Sequence, residues 1–227
     1  MSATERQIVD SLLASFENAL QRQQPYRHWF VKDCLPQTTV NEILNLPLAA
    51  ADLDGVSGKR ELHNATRRYF DTGNRASFTC VEAVAAAFQD PRVTTGIERI
   101  FGARLAGSYL RIELAQDVDG FWLEPHTDIG VKTFTFLLYL SSDAAHAGLG
   151  TDIYDSDKRW VGRSPFGPDA GMIFVPSTIT YHGFEHRKIE GVRKSLVINY
   201  VTGDWRAREQ LAYPERPVLK REAITAG

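Results

Sequence analysis

The chain has 227 residues, 43% hydrophobic and 24% charged, the proportions of a globular domain with room for a sizeable core. A formal net charge of -2, with Lys and Arg scattered, gives no general pull toward nucleic acid or anionic membrane, and no segment reaches the roughly 18 apolar residues that cross a bilayer. The opening MSATERQIVDS has no secretory-signal pattern, and Cys34 and Cys80 are too few for a disulfide framework, so a cytoplasmic protein is expected.

Residues 4–23, TERQIVDSLLASFENALQRQ, put Ile8, Leu12, Leu13, Phe16 and Leu20 on one face of a helix. A second, short helix is expected near Thr38 or Thr39, whose hydroxyl can cap VNEIL. Segment 55–77, GVSGKRELHNATRRYFDTGNRAS, is rich in Gly, Asn and Arg and reads as irregular or weakly extended chain of the kind that carries substrate contacts. CVEAVAAAFQD reads as a helix, and DPRVTTGIERIFG as another, with Asp90 at its cap and Pro91 in its first turn.

After about residue 105 the period changes. GSYLRIELAQD sets Leu110, Ile112 and Leu114 against Tyr109, Arg111 and Glu113, the pattern of a half-buried strand. TFTFLLYL, residues 133–140, is a nearly unbroken β-prone run suited to the middle of a sandwich or barrel, and GMIFVP, TITYHGF and KSLVINYV follow between Gly, Pro, Asp and Ser clusters. Helices followed by short strands predict an α+β protein with a sandwich or barrel. One domain is expected over 1–227, with helical support and substrate-side loops in 1–104, the β core in 105–203 and a C-terminal tail in 204–227.

In LEPHTDIG, residues 123–130, His126 and Asp128 stand two apart, so in an extended chain both heads leave the same face. An imidazole and a carboxylate are ligands for iron, zinc or manganese, and a transition metal needs a third from elsewhere. His182 ends the apolar extended segment GMIFVPSTITYHGF, in a strand-dominated region that can fold back beside His126. His186, in the charged string EHRKIEG, reads as a solvated turn, and His28, His63 and His146 read as surface or satisfied core residues. Eleven residues past His182, Arg193 and Ser195 share one face of the strand GVRKSLVINYV. A guanidinium drawn among apolar neighbours answers a carboxylate or phosphate.

This order, His126-x-Asp128, then His182 at a strand end, then Arg193, resembles the Fe(II)- and 2-oxoglutarate-dependent oxygenases, particularly the prolyl-hydroxylase-like group. The resemblance covers residues 105–203, and FTFLLYLS, GLGTDIY, GPDAGMIFVPS and Gly120 agree with it. It implies a double-stranded β-helix, or jelly-roll, core with N-terminal packing helices. It also implies Fe(II) held by a catalytic triad of His126, Asp128 and His182, and 2-oxoglutarate whose far carboxylate is bound by Arg193 and Ser195. The same resemblance implies dioxygen as the co-reactant, ascorbate as a possible support for activity, and release of succinate and carbon dioxide. Asp128 stands where the family's halogenases carry a small residue, which points to hydroxylation, although desaturation, ring closure or demethylation would use the same metal centre.

The chain also departs from the group. Gln116, Asp117 and Leu123 stand where relatives carry an Arg-Tyr pair and a tyrosine, which leaves Tyr109 as the candidate second anchor for the cosubstrate and weakens the expectation of a prolyl peptide. Trp122, Arg67, Arg68 and Arg75 are candidate substrate contacts, an apolar wall and an anionic grip. The expected partner is a small-molecule substrate, with no nucleic acid or membrane, and a homodimer is left open. Two other readings share the fold: a cupin-type hydrolase or isomerase using zinc or manganese, and a non-enzymatic jelly-roll binding module. The first has no use for Arg193 with Ser195.

Overall fold

The computed structural model describes residues 1–50, 67–128 and 130–219. His63 and most of the Gly- and Arg-rich segment lie outside the described residues, as does the end of the expected tail.

The first helix, α1 (Ala3–Glu17), starts at a capping box in which the Ser2 hydroxyl accepts from Glu5 N and the Glu5 carboxylate accepts from Ser2 N. It stops sooner than the apolar spacing predicts. Asn18 folds its side-chain amide back onto Ala14 O at 2.8 Å, and the chain leaves as strand β1 (Leu20–Arg22), paired with β2 (His28–Lys32), so that Leu20 is exposed. Helix α2 (Gln37–Leu44) begins after Pro36, which makes no side-chain cap bond; neither Thr38 nor Thr39 caps it, and both lie inside its first turn. The end of the segment expected to be irregular or weakly extended holds the short strand β3 (Arg68–Tyr69) and then, where no helix was expected, α3 (Thr72–Ser77), whose first turn is capped by Asp71 through Asn74 N at 2.8 Å. Helix α4 (Thr79–Gln89) leads into α5 (Pro91–Phe101), capped by Asp90 through Arg92 N. Gly102, at φ +75°, closes α5 in the left-handed conformation that suits glycine.

The remaining strands are β4 (Tyr109–Asp117), β5 (Leu123–His126), β6 (Lys132–Tyr139), β7 (Asp152–Tyr154), β8 (Trp160–Arg163), β9 (Ala170–Phe174), β10 (His182–Phe184) and β11 (Arg193–Val201). They form two antiparallel sheets of a jelly-roll, ordered β1-β2-β9-β6-β11-β4-β3 and β5-β10-β7-β8. Period-2 alternation divides the large sheet. Leu110, Ile112, Leu114, Phe134, Phe136, Leu138, Leu196, Ile198 and Tyr200 meet Ile8, Leu12, Phe16, Val84, Phe88, Ile97 and Phe101 of the helices in one core. Phe16 packs edge-on to Phe101 at 5.1 Å and to Phe136 at 6.2 Å. Each such side chain contributes about 1.5–3 kcal/mol on burial, so this layer fastens the helices to the sheet.

The other face of the large sheet turns toward the small sheet. Arg111 and Glu113 are buried there, so β4 is covered on both faces and is not the half-exposed strand that its alternation predicts. Residues 204–219 of the expected C-terminal tail pack against the core. Leu211, Ala212, Tyr213 and Val218 are buried, and Ala212 N donates to Leu110 O and Val218 N to Ser108 O. Among the described residues, no helix is long and apolar enough to cross a membrane.

Candidate metal centre and its cavity

His126 at the end of β5 and His182 at the start of β10 are register partners, with ring centroids 4.4 Å apart. Asp128 follows His126 by two positions, and one ligand atom from each of the three residues lies within 4.8 Å of the others. This approach of β5 to β10 needs Gly183, where a Cβ would sit 2.7 Å from Leu123 O. His126 Nδ1 lies 2.8 Å from Glu124 O, and His182 Nδ1 lies 3.0 Å from Thr180 O. A carbonyl only accepts, so the proton belongs on each Nδ1 and the lone pair on each Nε2.

The Asp128 carboxylate is held at both oxygens, by Lys132 Nζ at 2.5 Å and by the Thr135 hydroxyl at 2.5 Å. Burial alone would raise its pKa, but the Lys132 ammonium, helped by His182 and the two hydrogen bonds, holds it well below the usual carboxylate range. Burial, with the neighbouring His126, pushes His182 down to about 3, so its imidazole is neutral at physiological pH. Two imidazole nitrogens and one ionised carboxylate, which keeps lone pairs beyond its two hydrogen bonds, are a donor set that fits Fe(II) on one face.

The triad opens on a cavity of about 540 Å³ between the sheets. Arg193 and Ser195 line it. The Arg193 guanidinium lies 4.8 Å from the Phe184 ring and 5.5 Å from the rings of Tyr139 and Phe166. Its Nε donates to Leu149 O at 2.8 Å, and its Nη1 to Asp117 Oδ2 at 2.6 Å. Of the five N–H groups of an arginine, two are therefore committed and three remain, enough for a ligand carboxylate. Tyr139 and Thr151 line the same cavity, with Tyr139 OH donating to Thr151 Oγ1 at 2.8 Å. They supply polar groups that the sequence reading did not find.

Six positions along β11 from Arg193, about 20 Å at the rise of a strand, Asn199 stands opposite Arg111 of β4 and Thr135 of β6. Arg111 donates to Gln210 Oε1 (3.0 Å), Asn199 Oδ1 (3.1 Å), Tyr69 OH (3.3 Å) and Glu113 Oε2 (3.0 Å). Arg111 and Glu113 line the cavity, as do Trp205 and Gln210, and the sequence reading proposed none of them. The available signal was the charged pair at i and i+2 on the face of β4 opposite Leu110, Ile112 and Leu114.

The remaining candidates separate. Arg67 lines the cavity. Arg68, paired with Leu114, does not. Arg75 binds Glu82 Oε2 at 2.7 Å and Ala212 O at 2.5 Å and lies 3.6 Å over the Tyr213 ring, so it fastens α3 to α4 and the C-terminal segment and does not line the cavity. Trp122 is absent from the cavity wall, although its neighbours Phe121 and Leu123 belong to it. Tyr109 pairs with Val201 while Arg193 pairs with Asp117, which puts it about 26 Å along β4 from the Arg193 end. It carries Arg208 over its ring at 4.0 Å and cannot share a ligand carboxylate with Arg193. His186 is exposed, whereas His28 and His146 are buried and bonded to the carbonyls of Tyr26 and Glu190.

No protein-family model matches the chain, and no curated protein matches it. Solved structures do. A prolyl 4-hydroxylase from Phytophthora capsici superposes with a TM-score of 0.58 at 13% identity, over 90% of this chain and 68% of that one. A prolyl hydroxylase from Trichoplax adhaerens, in complex with a hypoxia inducible factor peptide fragment, gives 0.56 at 12% identity, over 87% and 88%. A Pseudomonas putida prolyl-4-hydroxylase gives 0.52 at 17% identity, over 86% and 97%. The chain thus has the jelly-roll fold of the prolyl-hydroxylase-like group.

Proposed function

We propose that this chain is an Fe(II)- and 2-oxoglutarate-dependent oxygenase that hydroxylates a small molecule and releases succinate and carbon dioxide. The observation that carries the reading is one cavity lined by His126, Asp128 and His182 and also by a buried Arg193. When bound, iron and 2-oxoglutarate supply, with dioxygen, an oxidant able to attack a C–H bond. The residues present two Nε2 lone pairs and one carboxylate to the metal, and Lys132 and Thr135 keep that carboxylate ionised and oriented. Arg193, with three N–H groups left over, and the Ser195 hydroxyl would take the far carboxylate of the cosubstrate. Phe184 lies beside the Arg193 guanidinium, and Leu137 and Val197 add apolar wall to the same cavity, which limits the water that reaches the reacting groups. Because Asp128 fills the carboxylate position, hydroxylation is favoured over halogenation.

The test is a screen of metabolite pools with Fe(II), ascorbate and 2-oxoglutarate. Succinate release together with the gain of one oxygen atom in a single compound supports the reading. Turnover with zinc or manganese and no succinate would move the chain to the cupin-type metalloenzymes.

A further inference from the structure

We infer that the end of the cavity built from Arg67, Arg111 and Glu113 is a subsite for a carboxylate carried by a small-molecule substrate, with Arg67 as its main contact. That the ligand is a substrate rests on the oxygenase reading; its chemical class rests on this end of the cavity alone.

Arg67 has only 12% of its side chain exposed, yet it forms no hydrogen bond among the described residues, and its Nη2 is buried without a partner. Its ionic contact is Nε to Glu113 Oε1 at 3.5 Å, beyond ordinary hydrogen-bond length. Glu113 Oε2 already accepts from Arg111 at 3.0 Å. One carboxylate is therefore shared by two guanidinium groups. The other acceptors of Arg111, on Gln210, Asn199 and Tyr69, are neutral. Among the described residues this cluster carries one positive charge in excess, and a desolvated charge is costly until it is paired. Asp204 and Arg206 also line the cavity but are exposed and opposite in sign, so they do not supply the missing anion. A carboxylate matches the single excess charge, and its two oxygens match the guanidinium fork. A phosphate monoester, nearer two charges at neutral pH, would overcompensate.

The position suits a substrate. Arg111 Nη1 donates to Asn199 Oδ1 at 3.1 Å, Asn199 Nδ2 to Thr135 Oγ1 at 2.9 Å, and Thr135 Oγ1 to Asp128 Oδ2 at 2.5 Å. The excess charge thus lies in the strand row that holds the Asp128 carboxylate, with Ser195 and Val197 between it and Arg193 on β11. A cosubstrate carboxylate on Arg193 and a substrate carboxylate on Arg67 would occupy different ends of one cavity, and Trp205, whose ring lies 5.1 Å from the Arg111 guanidinium, offers an apolar wall beside the second.

The test pairs each member of a panel of amino acids and small aliphatic and aromatic monocarboxylic acids with its primary amide. Phosphate monoesters of similar size and short prolyl peptides complete the panel. Binding to the metal-free chain is read by calorimetry, and succinate release by the chain supplied with Fe(II) and 2-oxoglutarate is read separately. At least one acid is expected to bind about tenfold or more tighter than its amide, with the ratio falling toward one in Arg67→Met and held in part by Arg67→Lys. Should Arg67→Met fail to fold, Arg67→Gln reads the same ratio. Acid-selective, Arg67-dependent binding without succinate under any condition would keep the subsite and remove the oxygenase reading. Succinate release with acids and amides bound alike, with phosphate esters or peptides preferred, or with acid selectivity unchanged in Arg67→Met, would overturn the subsite and leave the oxygenase reading standing.

Discussion

Arg193 and Asp117, directly opposite on β11 and β4, form an ion pair of 2.6 Å with 5% of each side chain exposed. Asp117 is one of the departures from the prolyl-hydroxylase-like pattern, and here it holds the guanidinium of a residue that lines the cavity. Removing one member of such a buried pair costs about 3–5 kcal/mol. Arg193→Ala is therefore expected to lower stability by that amount in urea unfolding. The double variant Arg193→Met with Asp117→Leu should regain most of the loss, yet need at least about tenfold more 2-oxoglutarate. An unchanged requirement in the double variant would remove Arg193 from cosubstrate binding.

His126 and His182 each bring one ring nitrogen within 4.8 Å of the other and of an Asp128 carboxylate oxygen, and His186 is exposed. In calorimetric titration with Fe(II) under anaerobic conditions, His126→Ala and His182→Ala should each weaken binding by more than about 100-fold, beyond the loss seen when a mere supporting residue is removed. His186→Ala should leave binding near that of the parent chain. The opposite ranking of the last two would mean that the distal ligand is misplaced.

Gly183 separates geometry from ligand identity. A Cβ there would meet Leu123 O at 2.7 Å and Glu124 O at 3.1 Å, so Gly183→Ala must push β5 from β10 and His126 from His182. Metal affinity should fall about 10–100-fold although all three ligands remain. Gly162→Ala, where nothing lies within 4 Å of the new methyl, is the matched control. Equal affinity in the two variants would show that the β5–β10 spacing does not set the site.

The metal-free chain should be sensitive to acid at His182. Its folded pKa is pushed to about 3 by burial and by His126, below the 6.5 of a free histidine. A depressed folded pKa gives stability that is whole above about 6.5 and is lost as pH falls toward 3, at up to about 1.4 kcal/mol per unit. Asp128, held low by Lys132, adds to the loss below its ordinary value near 3.8. Urea midpoints from pH 7 to pH 4 should fall in the parent chain and change much less in His182→Asn. A flat profile in the parent chain would mean that this imidazole is not buried neutral.

The strands and the triad were legible because both follow from a period of two. His126 and Asp128 share a face by spacing, and the apolar run before His182 marks a strand end. Arg111 and Glu113 were hidden by the same rule. In LRIEL the alternation predicts one wet face, and only the small sheet and residues 204–211, which are distant in sequence, turn that face into a cavity wall. The early end of α1 was also missed, since Leu20 extends the apolar spacing while Asn18 and the pairing of β1 with β2 break the helix. Arg67 and Arg75 looked alike in sequence; the position of Glu82 and Tyr213 beside Arg75 is a tertiary fact.

If His126, Asp128 and His182 hold one iron that consumes 2-oxoglutarate, succinate formation decides the matter. The purified chain with Fe(II), ascorbate and 2-oxoglutarate should form succinate in step with 2-oxoglutarate consumed, and Asp128→Ala, checked to melt cooperatively, should form none. No succinate from the folded, iron-loaded parent chain in the presence of a compound that binds its cavity, or equal succinate from Asp128→Ala, would contradict it.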